Sequence, residues 1–324
     1  MSDAIEPTVI ALRQGRIGRI TLNRPKALNA LDPGMIRAIS AALAGWRDDP
    51  AVHAVVIEGA GGRAFCAGGD IRAIRAMVMA GDAAGVEQFF AEEYALILQI
   101  ARYPKPYVAL IDGICMGGGM GLSVHGTYRV TSEAATFAMP ETAIGMFPDV
   151  GATFALPRLR GNWGMYLALT GARVGGGDAV WLGIATHFVS REALAGLGDA
   201  IAEDGLAALG AVATSPPAPT LARHDVGAFG QASVAGVLAG LRVGRSAFAE
   251  GALETLHQVS PSAVLASFDI VRAGGHRTLA QALEAELAQT RVTTRHPDFL
   301  EGVRAMVVDK DRAPRWVPAA FPEA

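Results

Sequence analysis

Two apolar, β-branched runs dominate the N-terminal third of the chain: 52–59 (VHAVVIEG) and 107–111 (YVALI). Neither alternates polar with apolar residues, so both faces of each strand need cover, as in a parallel sheet held between layers. Parallel neighbours cannot be joined by a tight turn; the chain must cross over, usually through a helix. Helical patterns stand where that requires them. Between the two runs lie a glycine-rich loop at 59–70 and helices over 71–80 and 83–102, the second ended by Pro104 and Pro106. After the second run come another glycine cluster, a helix-like segment at 118–126 and a short strand near 128–132. Upstream, alternation over 8–22 about Gln14-Gly15-Arg16 predicts a hairpin. Asp32 followed by Pro33 marks a helix start, and Met35, Ile36, Ile39, Leu43 and Trp46 follow at helical spacing. Strands alternating with helices predict an α/β fold with a covered sheet.

From about residue 155 helices take over, at 162–169, 178–182, 191–209, 231–240, 243–258, 262–273 and 278–291. Ser215-Pro216-Pro217-Ala218-Pro219 is the best linker candidate, because closely spaced prolines cannot continue a helix. The expected organisation is an α/β core over 1–210 and a helical C-terminal region over 211–324 that packs on it.

Composition narrows the class. Hydrophobic residues make up 51% of the 324 and charged residues 18%, which excludes a disordered chain. A net charge of −3 and the lack of any Lys/Arg run argue against a nucleic-acid partner. No uninterrupted apolar stretch of ~18 residues predicts a membrane span. The opening MSDAIEPTVI reads as neither a signal nor a transit peptide. Cys66 and Cys115 cannot build a disulfide framework and lack zinc-site spacing. A cytoplasmic globular protein is expected, and a homo-oligomer is compatible with the sequence.

Several chemistries fail on spacing. There is no G-x-x-x-x-G-K-[ST] loop and no H-E-x-x-H, and the glycines at 117–121 do not complete G-x-G-x-x-G. Gly121-Leu122-Ser123-Val124-His125 misses the G-x-S-x-G elbow at its last position, so Ser123 reads as a buried helix serine bonded to a backbone carbonyl. No pair of histidines has ligand spacing, so no metal is expected.

Two glycine clusters and an acidic pair remain. Phe65-Cys66-Ala67-Gly68-Gly69-Asp70-Ile71 links a strand to a helix, and Gly113-Ile114-Cys115-Met116-Gly117-Gly118-Gly119-Met120-Gly121 does so again. Glycine lets a backbone N–H approach a ligand closely at the positive end of a helix. Two such donors from separate turns make an oxyanion hole; each cluster alone is also explained by turn-making or close packing. In 139–149 (MPETAIGMFPD), Glu141 and Asp149 sit among apolar residues. Carboxylates there are costly to bury unless paired or functional, and desolvation raises their proton affinity toward a value useful for proton transfer. The competing reading has Glu141 capping a turn and Asp149 capping the next helix.

The order AGGDI, GGGMG, PETAIG resembles the crotonase (enoyl-CoA hydratase/isomerase) superfamily. Within it, 105–123 (KPYVALIDGICMGGGMGLS), 137–149 (FAMPETAIGMFPD) and 301–310 (EGVRAMVVDK) resemble more closely the 3-hydroxyisobutyryl-CoA hydrolases, with 168–171 (ALTG) and 183–189 (GIATHFV) in support. The similarity runs from roughly residue 8 to 317 and is weakest across 195–240.

The resemblance implies a crotonase-type ββα spiral core and an acyl-CoA substrate, with coenzyme A part of that substrate and no separate cofactor. It implies an oxyanion hole from the Gly69 and Gly118 amides, Glu141 as the principal carboxylate, acting as nucleophile or base, and Asp149 beside the acyl chain, positioning the substrate hydroxyl or assisting the proton transfers. Glu93 matches a substrate-contacting glutamate. Lys26 and the backbone of Ala67, Gly68, Gly69, Asp70 and Ile71 would hold the coenzyme A moiety. One departure bears on the activity. Hydratases carry a second glutamate where this chain has Gly121, and Asp149 stands where they usually have glycine. The pattern implies thioester hydrolysis, with 3-hydroxyisobutyryl-CoA in valine breakdown as the expected substrate. The alternatives are an enoyl-CoA hydratase/isomerase or a non-catalytic acyl-CoA-binding homologue.

Overall fold

The computed structural model describes residues 6–318, 320 and 321. The chain forms two compact units, neither a single run of sequence. The first takes the chain up to Gly69, then Ala95–Phe137 and Val174–Pro219; the second takes Asp70–Tyr94, Ala138–Arg173 and the chain from Thr220 onward. The proline-rich stretch at 215–219 thus closes the first unit, and the expected boundary near 210 falls inside that unit's last segment.

The strands, in chain order, are β1 (Val9–Gln14), β2 (Ile17–Leu22), β3 (Ala54–Gly59), β4 (Ala64–Cys66), β5 (Tyr107–Ile111), β6 (Ile114–Met116), β7 (Tyr128–Thr131), β8 (Thr136–Ala138), β9 (Val174–Gly175) and β10 (His187–Phe188). Ala138 apart, all lie in the first unit. β1 and β2 form the expected hairpin, with Gly15 in the left-handed region at φ 55°. From β2 the sheet continues in parallel through β3, β5, β7 and β10. The buried-type runs are its central strands, and every residue of β5 is buried. Ile17, Val56, Val108, Leu110 and Val130 pack with Val189, Leu194, Leu197 and Ile201 into one core. Each such side chain contributes roughly 1.5–3 kcal/mol on burial. The second sheet runs β4-β6-β8-β9, with β4 and β6 parallel and Cys66 opposite Cys115.

Helix starts follow their caps. Asp32 accepts from Met35 N at 2.8 Å and opens Pro33–Trp46, whose buried side is Met35, Ile36, Ile39 and Leu43. Trp46 leans on β2 at Gly18, where a Cβ would lie 2.2 Å from the indole.

The expected helix over 191–209 is two, Arg191–Asp204 and Ala207–Val212. Gly205 breaks it at φ 71° and ψ −163°, a conformation open essentially to glycine alone.

The second unit is helical. It holds Ile71–Met79, the start of Ala83–Ala101, Trp163–Thr170, Val234–Gly244, Ala247–Gln258, Pro261–Gly274 and Leu279–Thr293. Pro297–Val303, not anticipated, is capped by His296 and runs into a π-turn at Arg304–Val308. Among the described residues no helix is long and apolar enough to cross a membrane.

Candidate active site

In the first unit, pairing of β4 with β6 brings the two glycine turns side by side. A Cβ on Gly68 (φ 112°) would lie 3.4 Å from Met116 O and 3.7 Å from Gly118 N. Gly119 is held closer still: its Cβ would stand 2.3 Å from Cys66 O. Gly117 (φ 48°, ψ −120°) turns the chain into the helix Gly118–Val124, so the Gly118 N–H is the first of that helix and has no acceptor within it. The 67–69 backbone is fixed from the other side by the turn at Arg24–Leu31. Ala67 N donates to Leu28 O at 3.0 Å and Leu31 N to Gly68 O at 2.8 Å. Leu28 and Asn29 are both left-handed, at φ 52° and 56°. Asn29 holds this turn: its Oδ1 takes Arg24 N, and its Nδ2 reaches Ala60 O and Ala64 O. Lys26 lies exposed on the same turn. Gly68 and Gly118 thus lie close together; Asn29, which stood in view within RPKALN, was not anticipated as the residue that holds the neighbouring turn.

In the second unit, Glu93, Glu141 and Asp149 come together, all buried. Glu93 comes from the helix Ala83–Ala101, while Asp70 caps and Ile71 begins Ile71–Met79. Glu141 opens the short 3-10 turn Glu141–Ile144, which Gly145 closes at φ 70°; a Cβ there would lie 2.3 Å from Asp298 O. Thr142 ties the turn down, its Oγ1 donating to Leu169 O and its carbonyl accepting from Ser260 N. Asp149 does not cap the next helix with its side chain. Its Oδ2 accepts from Tyr94 Oη at 2.7 Å. The amides expected to need a cap go instead to Glu286, which takes Gly151 N at 2.8 Å and Thr153 N at 3.1 Å. Val150 between them is left-handed at φ 53°, costly for a β-branched residue by roughly 1–2 kcal/mol. Tyr94 and Glu286 are the residues that sequence reasoning missed here. Ser123 donates to Gly119 O and Met120 O, as expected of a helix serine.

The charges are crowded. Burial, then the charges of Asp149 and Glu286, push Glu93 well above the usual carboxylate range. Burial, then Asp149 and Glu93, do the same for Glu141. Burial lifts Asp149 to about 6 against the opposing Tyr94 hydrogen bond, and lifts Glu286 to about 8. Among the described residues, Glu93 Oε1 and Glu141 Oε2 are buried with no hydrogen-bond partner. Such atoms are rare in folded proteins, because each forfeits its hydration. No group of three or more His, Cys, Asp or Glu among the described residues is arranged to hold a metal ion.

The raised acid at 141 fixes a sign. A folded state that holds an extra proton loses stability as pH rises. Glu141's contribution is complete below its unfolded pKa of ~4.3 and is lost as pH climbs through the higher folded value. Glu141→Gln cannot titrate there. Its melting temperature should therefore gain on the wild type between about pH 5 and about pH 8. Thermal melts at both pH values check this; a gap that shrinks with rising pH refutes the raised pKa.

Residues 17–324 match the family model described as enoyl-CoA hydratase/isomerase. A curated relative, the mitochondrial 3-hydroxyisobutyryl-CoA hydrolase of Xenopus tropicalis, is 45% identical over 331 residues, 96% of this chain and 84% of that one. The protein of that name from Homo sapiens is 42% identical over 342 residues, covering 99% and 87%. Among solved structures, a carnitinyl-CoA dehydratase from Mycobacterium thermoresistibile matches with TM-score 0.93 at 39% identity, over 98% of this chain and 93% of that one. An enoyl-CoA hydratase from Rhodobacter sphaeroides 2.4.1 matches with TM-score 0.88 at 40% identity, over 96% and 92%. The names of the curated relatives place them in mitochondria, which overturns the expectation of a cytoplasmic location.

Proposed function

Because the chain belongs to the enoyl-CoA hydratase/isomerase family, we propose that it hydrolyses an acyl-CoA thioester, 3-hydroxyisobutyryl-CoA, to 3-hydroxyisobutyrate and coenzyme A, a step of valine breakdown. The observation that carries this reading is the buried, unpartnered Oε2 of Glu141, together with Gly121 where a hydratase places its second glutamate. Hydration needs one group to take a proton from water and another to deliver one to the α-carbon. Thioester hydrolysis asks for one carboxylate and an oxyanion hole.

The roles are those the resemblance assigns. Water attacks the carbonyl carbon as Glu141 takes its proton. The Gly69 and Gly118 amides receive the charge that develops on the carbonyl oxygen. The C–S bond then breaks, and the thiolate leaves and is protonated; with a thiol pKa of ~8.5 it needs little acid help. Direct attack by Glu141, followed by water on the acyl-enzyme anhydride, gives the same products from the same residue. A carboxylate whose proton affinity burial has raised is the better base near neutral pH. Asp149 and Glu93 receive the acyl hydroxyl, and Lys26 with the Ala67, Gly68, Gly69, Asp70 and Ile71 backbone holds coenzyme A.

The two similar solved structures are named as a dehydratase and a hydratase, which favours a second reading in which water is added to or removed from a double bond. Purified protein incubated separately with 3-hydroxyisobutyryl-CoA and crotonyl-CoA separates the two. Free thiol from the first, with the enoyl absorbance of the second intact, is the expected result. Loss of enoyl absorbance without thiol release overturns the hydrolase reading, and neither reaction points to the non-catalytic homologue.

A further inference from the structure

We propose that Glu286 is the positioning residue for Asp149: from the helix Leu279–Thr293 it fixes the turn on which Asp149 is carried. The inference rests on the role given to Asp149 above.

Glu286 is fully buried, and its carboxylate is spent on one turn. Oε2 accepts from Gly151 N at 2.8 Å, and Oε1 accepts from Thr153 N at 3.1 Å and from Thr153 Oγ1. Between Asp149 and these anchors the backbone passes through two left-handed residues in succession, Val150 at φ 53° and Gly151 at φ 80°. A β-branched residue does not hold that conformation unaided; the surroundings must over-determine it. Gly274 braces the far side, where a Cβ would lie 1.9 Å from Thr153 O. Among the described residues the Asp149 carboxylate itself has one side-chain anchor, Tyr94 Oη. Its aim therefore depends on where the turn places its Cα.

Filling space does not explain a carboxylate here. An apolar side chain would fill the volume without the cost of desolvating a carboxyl group. What only a carboxylate supplies is two acceptors side by side for two amides of one turn. Glutamine offers one acceptor and one donor, so it sets an N–H against an N–H and orphans an amide.

The test is a double-mutant cycle on kcat/KM, run below the melting transition of every variant. Glu286→Gln should lower kcat/KM on 3-hydroxyisobutyryl-CoA by ~10–10²-fold with that on isobutyryl-CoA little changed, the scale expected of a small misplacement. In an Asp149→Ala background the same substitution should cost less than ~2-fold, since the group it aims is gone; a role in general stability would cost the same in both backgrounds. Thr153→Val keeps both amides and removes one donor to Glu286, and should show a smaller loss with the same epistasis. It decides the matter if Glu286→Gln does not fold. Equal losses in both backgrounds, or a folded variant with unchanged kcat/KM, overturn the inference. If Asp149→Ala is itself as active and as selective as the wild type, the role of Asp149 falls first and the inference with it. If Asp149→Ala loses activity while both Glu286→Gln and Thr153→Val do not, only the inference falls.

Discussion

Replacing Asp149 with alanine should collapse the enzyme's preference for 3-hydroxyacyl over plain acyl thioesters. A site built to hydrogen-bond a substrate hydroxyl can reject the analogue lacking it by as much as ~10⁴–10⁵-fold, because its buried polar groups are then left unpaired. Asp149 is equipped for that. It is buried, and Tyr94 Oη occupies its Oδ2. Burial raises its pKa to about 6, so above that value it is an anion in poor surroundings that gains from a hydroxyl donor. Steady-state kcat/KM for 3-hydroxyisobutyryl-CoA and isobutyryl-CoA should diverge widely in the wild type and draw together in Asp149→Ala, mostly through loss on the hydroxylated substrate. Equal losses on both would move Asp149 from recognition to the chemical step.

The long elements were legible because each carries its own local signal. The strands around 52–59 and 107–111 are apolar on both faces, and Asp32 announces its helix with a side-chain cap that the structure contains; the structure adds the same device at Ser260 and Thr278, which the sequence reading did not use. At Thr278 the signal is complete, with Gln281 returning the bond to form a capping box. At two helix starts a cap moved the boundary. Val234–Gly244 starts later than 231 because Ser233 accepts from Gly236 N, and Ala247–Gln258 starts later than 243 because Ser246 accepts from Ala249 N. The second sheet was invisible. Its strands are two or three residues long, too short for a period of two to register, and only pairing distant in sequence makes them strands.

The candidate site divides in the same way. Glycine at 68, 117 and 145 is dictated by backbone conformation or by a neighbour that leaves no room for a side chain, so motif and geometry agree. Tyr94 is an ordinary helix aromatic in sequence; only the fold sets its hydroxyl against Asp149. Glu286 sits in ALEAELAQ beside the exposed Glu284 and looks like any solvated helix carboxylate. Its partners lie 133 and 135 residues upstream. Nothing local distinguishes a glutamate that anchors a strained turn from one that faces water.

Glu141→Gln should abolish thioester hydrolysis while leaving the fold intact. The substitution preserves shape and removes the charge. The turn that carries residue 141 is held by Thr142, Gly145 and Ser260, none of which depends on the carboxylate. Loss of general-base catalysis alone costs ~10²–10⁴ in kcat, and loss of a covalent nucleophile would cost more. The effect should fall on kcat rather than KM, because the carboxylate acts on water or on the carbonyl carbon and not on coenzyme A. Electrostatics sharpens the expectation. Glu93 and Asp149 each raise the proton affinity of Glu141, so removing its charge should relieve them in turn and stabilise the unliganded protein even as activity disappears. Thiol release by the purified variant, measured alongside its melting temperature at about pH 8, tests both halves. A variant within a few-fold of the wild type in kcat would take the catalytic role from Glu141. A variant that is inactive but less stable than the wild type would show that the carboxylate was also supporting the fold.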